Sequence, residues 1–458
     1  MAVASPGSEG SWSDWLTYFS PRHFAMMARP SYRIELITVF FFSMTLAAVD
    51  NSFVSVFVKQ TYSGTEHTML LNIVVALVGS ASEIANILSF FWVSASNGVR
   101  KVPFINALQL SVILLVGSLA LIPETIPGLL VLTGIILLAR VSWSGIILLR
   151  PTVWRVNYRS DRASIVGRFS SVQQFIVAVV GVLLGLSLDT NPDIFHVAAP
   201  AAALLGLIAL FATRKLRVRR EPALLRAERN PEERRKIGRP WQGPAIVWRV
   251  LRQDRRFAQF MMCMFLLGYG NIMVTPIVVI VLKDQFNFGY FRSILLMSTI
   301  PYILMPLAVP IWARFLDRAH VVRFRAYHSW AFVGAAAFFF AGVAAHQEWL
   351  LFAGSLMLAI GFGGGTIAWN LGHVDFSPPA ETSQYMATHV TLNGVRGLLA
   401  PLTAVALYEH LRAWDLGVRP AATIVLCVAL LLATAGGLGF VWLNRAMSLA
   451  GPFKRRTT

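Results

Sequence analysis

The chain has 458 residues, 56% hydrophobic and 14% charged, with 40 Lys and Arg against 22 Asp and Glu and a formal net charge of +18. Soluble chains carry about 25% charged residues, so most of this surface is built to face lipid, and a soluble enzyme is excluded. A basic excess on a soluble face would point to nucleic acid, but here the charge falls between apolar runs and nucleic acid drops out as a partner. The two cysteines, Cys263 and Cys427, lie inside apolar runs and offer neither a disulfide framework nor metal-ligand spacing.

The stretch from Met1 to Pro30, within a tail of residues 1–33, lacks the basic start, apolar stretch and small-residue cleavage site of a secretory signal. Trp12, Trp15, Phe19 and Phe24 among polar neighbours fit either a short helix in the headgroup region or a disordered tail. Apolar runs long enough to cross a hydrocarbon core about 30 Å thick then recur. They lie near 34–57, 68–94, 102–122, 127–150, 169–190 and 194–213. A basic stretch, 214–256, follows with fifteen Lys and Arg against five Asp and Glu and with Pro222, Pro231, Pro240 and Pro244 as breakers. Six further runs lie near 257–282, 291–313, 327–346, 349–371, 386–409 and 418–444, before a basic tail at 445–458. Only helices satisfy every backbone group inside lipid without a closed barrel, and the runs lack the alternation of barrel strands. The expected fold is an all-α integral membrane protein of 12 transmembrane helices in two six-helix repeats, 34–213 and 257–444, joined by a linker.

With both termini and the linker on one side, that side carries 33 of the 40 basic residues and the other side 5. The positive-inside rule therefore predicts cytoplasmic termini, in a bacterial inner membrane. The linker reads either as a solvated tether or as a surface for anionic membrane lipids. The halves share an offset near 220 residues: Asp50 answers to Asn271, and Asp161 to Gln174 answers to Pro379 to Leu392. Such paired repeats place a site at their interface near mid-membrane.

The loop after the eighth run reads Ala313-Arg314-Phe315-Leu316-Asp317-Arg318, then Arg323 and Arg325. The loop after the second run keeps Gly98-Val99-Arg100-Lys101 but has Ala95 where an Asp would stand. Six plus six spans with these loops resemble the major facilitator superfamily, whose signature is Gly-x-x-x-Asp-Arg-x-Gly-Arg-Arg. The resemblance implies a secondary transporter, not an enzyme, that works by alternating access with no cofactor, and a monomer is expected. It also implies a conformational latch of Asp317, Arg318 and Arg100. Arg140 with Gly145 departs by one residue from the family's Arg-x-x-x-Gly spacing. Gly181 and Gly185 occur without the Gly-Pro pair of drug exporters, so drug export is not implied.

Ionisable residues in mid-membrane cost at least about 2.5 kcal/mol on insertion scales and are functional candidates by default. Asp50 and Glu83 are candidates for proton coupling, with Gly79 and Asn86 on the Glu83 face. His389, Asn393 and Arg396 share one face of the eleventh span. Arg396 can hold a carboxylate or phosphate bidentately, or can serve as an internal counter-ion to Asp50 or Glu83; His389 can titrate or make an interhelical hydrogen bond. Arg140 joins the substrate-binding candidates, as do Gln174, Asn271, Trp369 and Asn370, which orient a ligand or bond helix to helix. The run Gly361, Gly363, Gly364 and Gly365 reads as close helix packing or as a bend, not as phosphate binding, since it opens no phosphate loop. The function expected is proton-coupled transport of a small organic anion or polar metabolite. The alternatives are a receptor or scaffold on the same fold, or a lipid-modifying membrane enzyme.

Overall fold

A computed structural model describes residues 20, 24–158, 162–230, 242–373, 375–378 and 381–449. Most of the N-terminal tail, residues 231–241 of the linker and the end of the C-terminal tail lie outside the described residues, as do the interfacial candidates Trp12, Trp15 and Phe19. The described chain is helical, with 11 helices long and apolar enough to cross a membrane, or 12 when one bent pair counts as a span.

The first span is two helices, α1 (Arg29–Ala47) and α2 (Asn51–Thr61). The second is the bent pair: α3 (Thr68–Gly79) turns by 60° into α4 (Ala81–Ala85), which continues through a short 3-10 turn into α5 (Ser89–Ser96). Then come α6 (Lys101–Ser118), α7 (Ile126–Asn157), α8 (Arg162–Thr190) and α9 (Phe195–Arg214). The linker holds α10 (Glu221–Arg229) and α11 (Gly243–Gln253). The second half follows with α12 (Arg255–Asp284), α13 (Tyr290–Ile294), α14 (Ile300–Arg318), α15 (Val321–Ala345), α16 (Glu348–Leu371), α17 (Thr382–Ala413) and α18 (Val418–Leu449). A π-helical turn, Leu295–Thr299, joins α13 to α14 within the eighth span.

Several helices outrun their apolar cores. The fourth span continues past residue 150 to Asn157, and the fifth begins at Arg162, not near 169. Arginines where these helices are extended lie over aromatic rings: Arg150, at the end of the expected run, stands 5.5 Å from the Trp143 ring centre, and Arg168, in the added turns, 4.6 Å from that of Phe24. Long basic side chains lay their stems on apolar surface in this way, which lets a helix extend beyond its hydrophobic stretch. The ninth span likewise begins at Val321, so Arg325, which the sequence assigns to a loop, stands inside a helix and is 3% exposed.

The halves meet at three depths. On the side away from the linker, Lys59 pairs with Asp284 at 2.8 Å, and Gln60 donates to the carbonyl of Phe288 at 2.7 Å. There Asn72 also donates to Glu409 at 2.6 Å. At middle depth Tyr302 of the eighth span donates to Asp50 of the first at 3.2 Å. Toward the linker the second and eleventh spans touch backbone to backbone, since a Cβ on Gly394 would lie 2.7 Å from the Ile87 nitrogen.

Candidate functional site

Both breaks in the first two spans lie where the halves meet, and each carries an acid. Asp50 sits in the gap between α1 and α2 and accepts from the backbone N–H groups of Ser52 (3.2 Å) and Phe53 (3.3 Å). This N-cap sets negative charge at the positive end of α2. Tyr302 donates to the same carboxylate, Ser298 lies 3.5 Å away in the π turn, and the Arg140 guanidinium stands at 3.8 Å. Asp50 thus serves as a helix cap, an inter-half contact and the counter-ion of Arg140, one layer behind the cavity wall.

Glu83 opens the second half of the bent span. Its carboxylate accepts from the Asn51 side-chain amide at 3.1 Å, and Ser82 donates to the amide oxygen of Asn51 at 3.1 Å, so the two breaks are tied together. Glu83 faces a cavity of about 410 Å³ between the halves. Arg140 reaches the same cavity from the first half, and Asn271, Arg325, Trp369, Asn393 and Arg396 reach it from the second. Gly397 brings the eleventh span against Glu83: a Cβ there would stand 2.2 Å from the Glu83 Cβ.

Arg396 lies flat on the seventh span, where a Cβ on Gly268 would fall 2.1 Å from its Nη1. It donates to the Met264 carbonyl at 2.7 Å and to Asn393 Oδ1 at 2.6 Å, while its Nε has no partner. The expected stripe on the eleventh span divides: Asn393 and Arg396 line the cavity, but His389, 1% exposed, stands behind it. Its ring meets Trp369 edge-on at 4.4 Å, and neither ring nitrogen has a hydrogen-bond partner. Gln174 is half-buried on α8 and off the cavity wall. Asn370 lies in the last turn of the tenth span, and its side chain is outside the described residues.

Arg100 pairs with Glu221 of the linker helix at 3.3 Å, while Asp317 and Arg318 are exposed in the last turn of α14. A carboxylate does reach the loop that lacks one at Ala95. Glu228 of α10 accepts from the Gly98 N–H at 2.8 Å and from Lys101 at 2.7 Å, and Arg229 donates twice to the Gly98 carbonyl. Gly98 has φ +71°, a left-handed turn that favours glycine.

Sequence reasoning missed Arg325, Tyr302, Asn51 and the buried Glu35, which accepts from Trp154 and from Tyr158. Asn51 was findable, because Asp-Asn-Ser inside an apolar run is a helix-cap signature that announces a broken span. The π turn at Leu295–Thr299 has no comparable mark in its residues.

An inter-half cavity holding charges from both sides, closed by hydrogen bonds away from the linker, suits binding of a polar solute followed by rocking of one half against the other. The architecture recurs in solved structures. A mutant of the nucleoside transporter NupG matches at 13% identity over 90% of this chain and 99% of that one, with a TM-score of 0.67. An auto-inhibited POT family peptide transporter matches at 14% identity over 93% and 98%, also at 0.67. A D-xylose-proton symporter matches at 12% identity over 89% and 96%, at 0.62. Identities this low show the fold alone. No curated protein matches in sequence. The family model of the Major Facilitator Superfamily covers residues 41–401. That match takes in most of both halves, the linker and every cavity residue named above, so the chain belongs to this superfamily and is a multi-pass membrane transporter, not an enzyme.

Proposed function

We propose that the protein is a secondary active transporter of a small organic anion or polar metabolite, driven by protons, in a bacterial inner membrane with both termini cytoplasmic. The observation that carries the reading is the pairing of Arg396 with Glu83 across one cavity: an anion-binding group from the second half opposite an acid from the first. A guanidinium with an unpartnered N–H can take a substrate anion. An acid joined to the adjacent span break through Asn51 can link its proton to the movement of that break. Asp50 keeps the Arg140 charge balanced through the cycle. The orientation rests on the 33 basic residues of the linker side, and a proton symporter among the structural neighbours is consistent with the coupling.

The test is uptake into proteoliposomes with an imposed proton gradient, screened over organic anions and neutral metabolites. The parent protein should concentrate its solute against a gradient. Glu83→Gln should lose that while retaining exchange of labelled for unlabelled solute, and Arg396→Lys should lose affinity because the planar fork is gone. Full gradient-driven accumulation by Glu83→Gln would overturn the assignment of the coupling acid.

A further inference from the structure

The second half contains a buried arginine, Arg325, that its sequence position disguises as a loop residue, and the glycine run on the tenth span explains how it is held. Arg325 is 3% exposed and reaches the cavity wall, and its Nε has no hydrogen-bond partner. One of its terminal nitrogens lies 3.2 Å from His328 Nδ1, and His328 Nε2 lies 2.8 Å from the Gly361 carbonyl oxygen. A guanidinium can only donate and a carbonyl can only accept, so the ring carries its proton on Nε2 and accepts at Nδ1. His328 is therefore a neutral bracket between the tenth span and the arginine.

The bracket is tightly fitted. A Cβ on Gly364 would fall 2.2 Å from the His328 ring, and one on Gly361 would fall 2.9 Å from the Phe332 ring. The ring meets Phe324 face-on at 5.0 Å and Trp312 edge-on at 4.9 Å. Gly361 and Gly364 thus make room for an aromatic wall that fixes where Arg325 points.

Charge balance then bears on the ligand. The charged residues on the cavity wall are Glu83, Arg140, Arg325 and Arg396, and Arg140 is matched by Asp50 at 3.8 Å. What remains is Arg325 and Arg396 from one half facing Glu83 from the other, an excess of positive charge. The rest of the wall is largely apolar, with Trp143, Phe332, Phe362 and Trp369 among it. A small hydrated inorganic anion would leave that wall without contacts, and a neutral solute would leave the excess charge of two desolvated guanidinium groups, which Glu83 offsets only once, without a counter-charge.

We propose that Arg325 and Arg396 form an anion clamp, positioned on one side by His328, and that the ligand is an organic anion with a carboxylate or phosphate head and an aromatic or aliphatic body. This rests on the transporter reading above and sharpens its substrate class. Protonation of Glu83 raises the cavity's positive excess by one charge, so a proton and an anion favour each other's binding.

The experiment is a thermal-shift and calorimetric binding series on the full-length protein in nanodiscs, independent of transport. The probes are aromatic carboxylates, medium-chain aliphatic carboxylates, aryl phosphates, inorganic phosphate and neutral sugars; carboxylates against aryl phosphates separate the two head groups. Anions with an apolar body should bind, and inorganic phosphate and sugars should not. Arg325→Lys should weaken binding about tenfold or more through loss of the bidentate fork. His328→Phe keeps the ring's shape and apolar contacts but removes both hydrogen bonds, so it should weaken binding comparably. His328→Gln can both donate and accept and should recover part of the affinity. If anions bind but Arg325→Lys and His328→Phe match the parent, the clamp is overturned while an anion site on Arg396 survives. If neutral solutes bind and anions do not, the anion reading itself falls.

Discussion

The closure away from the linker rests on a buried lysine, and its asymmetry gives a sharp test. Lys59 is 2% exposed along its side chain and donates to Asp284 at 2.8 Å and to Asn72 Oδ1 at 3.1 Å, whereas Asp284 keeps 25% exposure. Asp284→Asn strands the lysine charge in a desolvated place, where removing one partner of a buried pair costs about 3–5 kcal/mol. Part of that is recovered because Asn72 remains and the partner is partly open to solvent, so about 1–3 kcal/mol is expected. Lys59→Met removes the buried charge and leaves Asp284 where water can reach it, so its cost should be smaller despite the larger chemical change. Because the pair spans the halves, the loss falls on the state closed on this side and shifts the conformational equilibrium about 5- to 150-fold for Asp284→Asn. Spin labels at Ser63→Cys and Arg419→Cys, in a background with Cys263→Ala and Cys427→Ala, would report the inter-half distance on this side. Asp284→Asn should lengthen the distribution and Lys59→Met should lengthen it less. The reverse order, or two unchanged distributions, would show that the pair does not hold the halves together.

Three further outcomes follow from local geometry. Glu228→Gln removes the carboxylate shared by Lys101 and the Gly98 N–H, so amide exchange over residues 96–101 should quicken about tenfold or more; unchanged protection would show the clasp to be incidental. Glu35→Ala leaves the Trp154 and Tyr158 donors unpaired beside a new void and should cost about 3 kcal/mol of unfolding stability, with Glu35→Gln milder; thermal unfolding that ranks them equally would contradict this. Burial holds the His373 imidazole down at about 4, below its usual 6.5. Between those values the unfolded chain takes up a proton that the folded chain refuses, so stability is complete above pH 6.5 and declines as pH falls toward 4. His373→Gln should flatten that decline, as followed by melting temperature against pH.

How much of this was legible follows from which forces act locally. Twelve spans, the linker and the halves could be read because lipid imposes one rule on every stretch of about twenty residues, independent of its neighbours. The cavity was legible in part for the same reason: Glu83, Arg140, Asn393 and Arg396 are polar where lipid forbids polarity, so each had to find protein or water. His389 obeys the same rule yet stands behind the wall, since helical spacing gives the face but not which residue on that face is screened by Trp369. Arg325 failed in the opposite direction. It lies four residues inside an apolar helix and two from Arg323, and hydropathy averages such a group into a loop. Only the partners betray it, and the glycines that seat His328 lie 33 residues on, in a different helix. The loop clasp was invisible for a related reason: Ala95 announces a missing acid, but Glu228 supplies one from 130 residues away, and no local pattern records a contact made by the fold. A charge in a membrane therefore marks a place to look, while its role is set by what stands against it, and substitutions at the bracket and the clasp test that more directly than substitutions at the charges themselves.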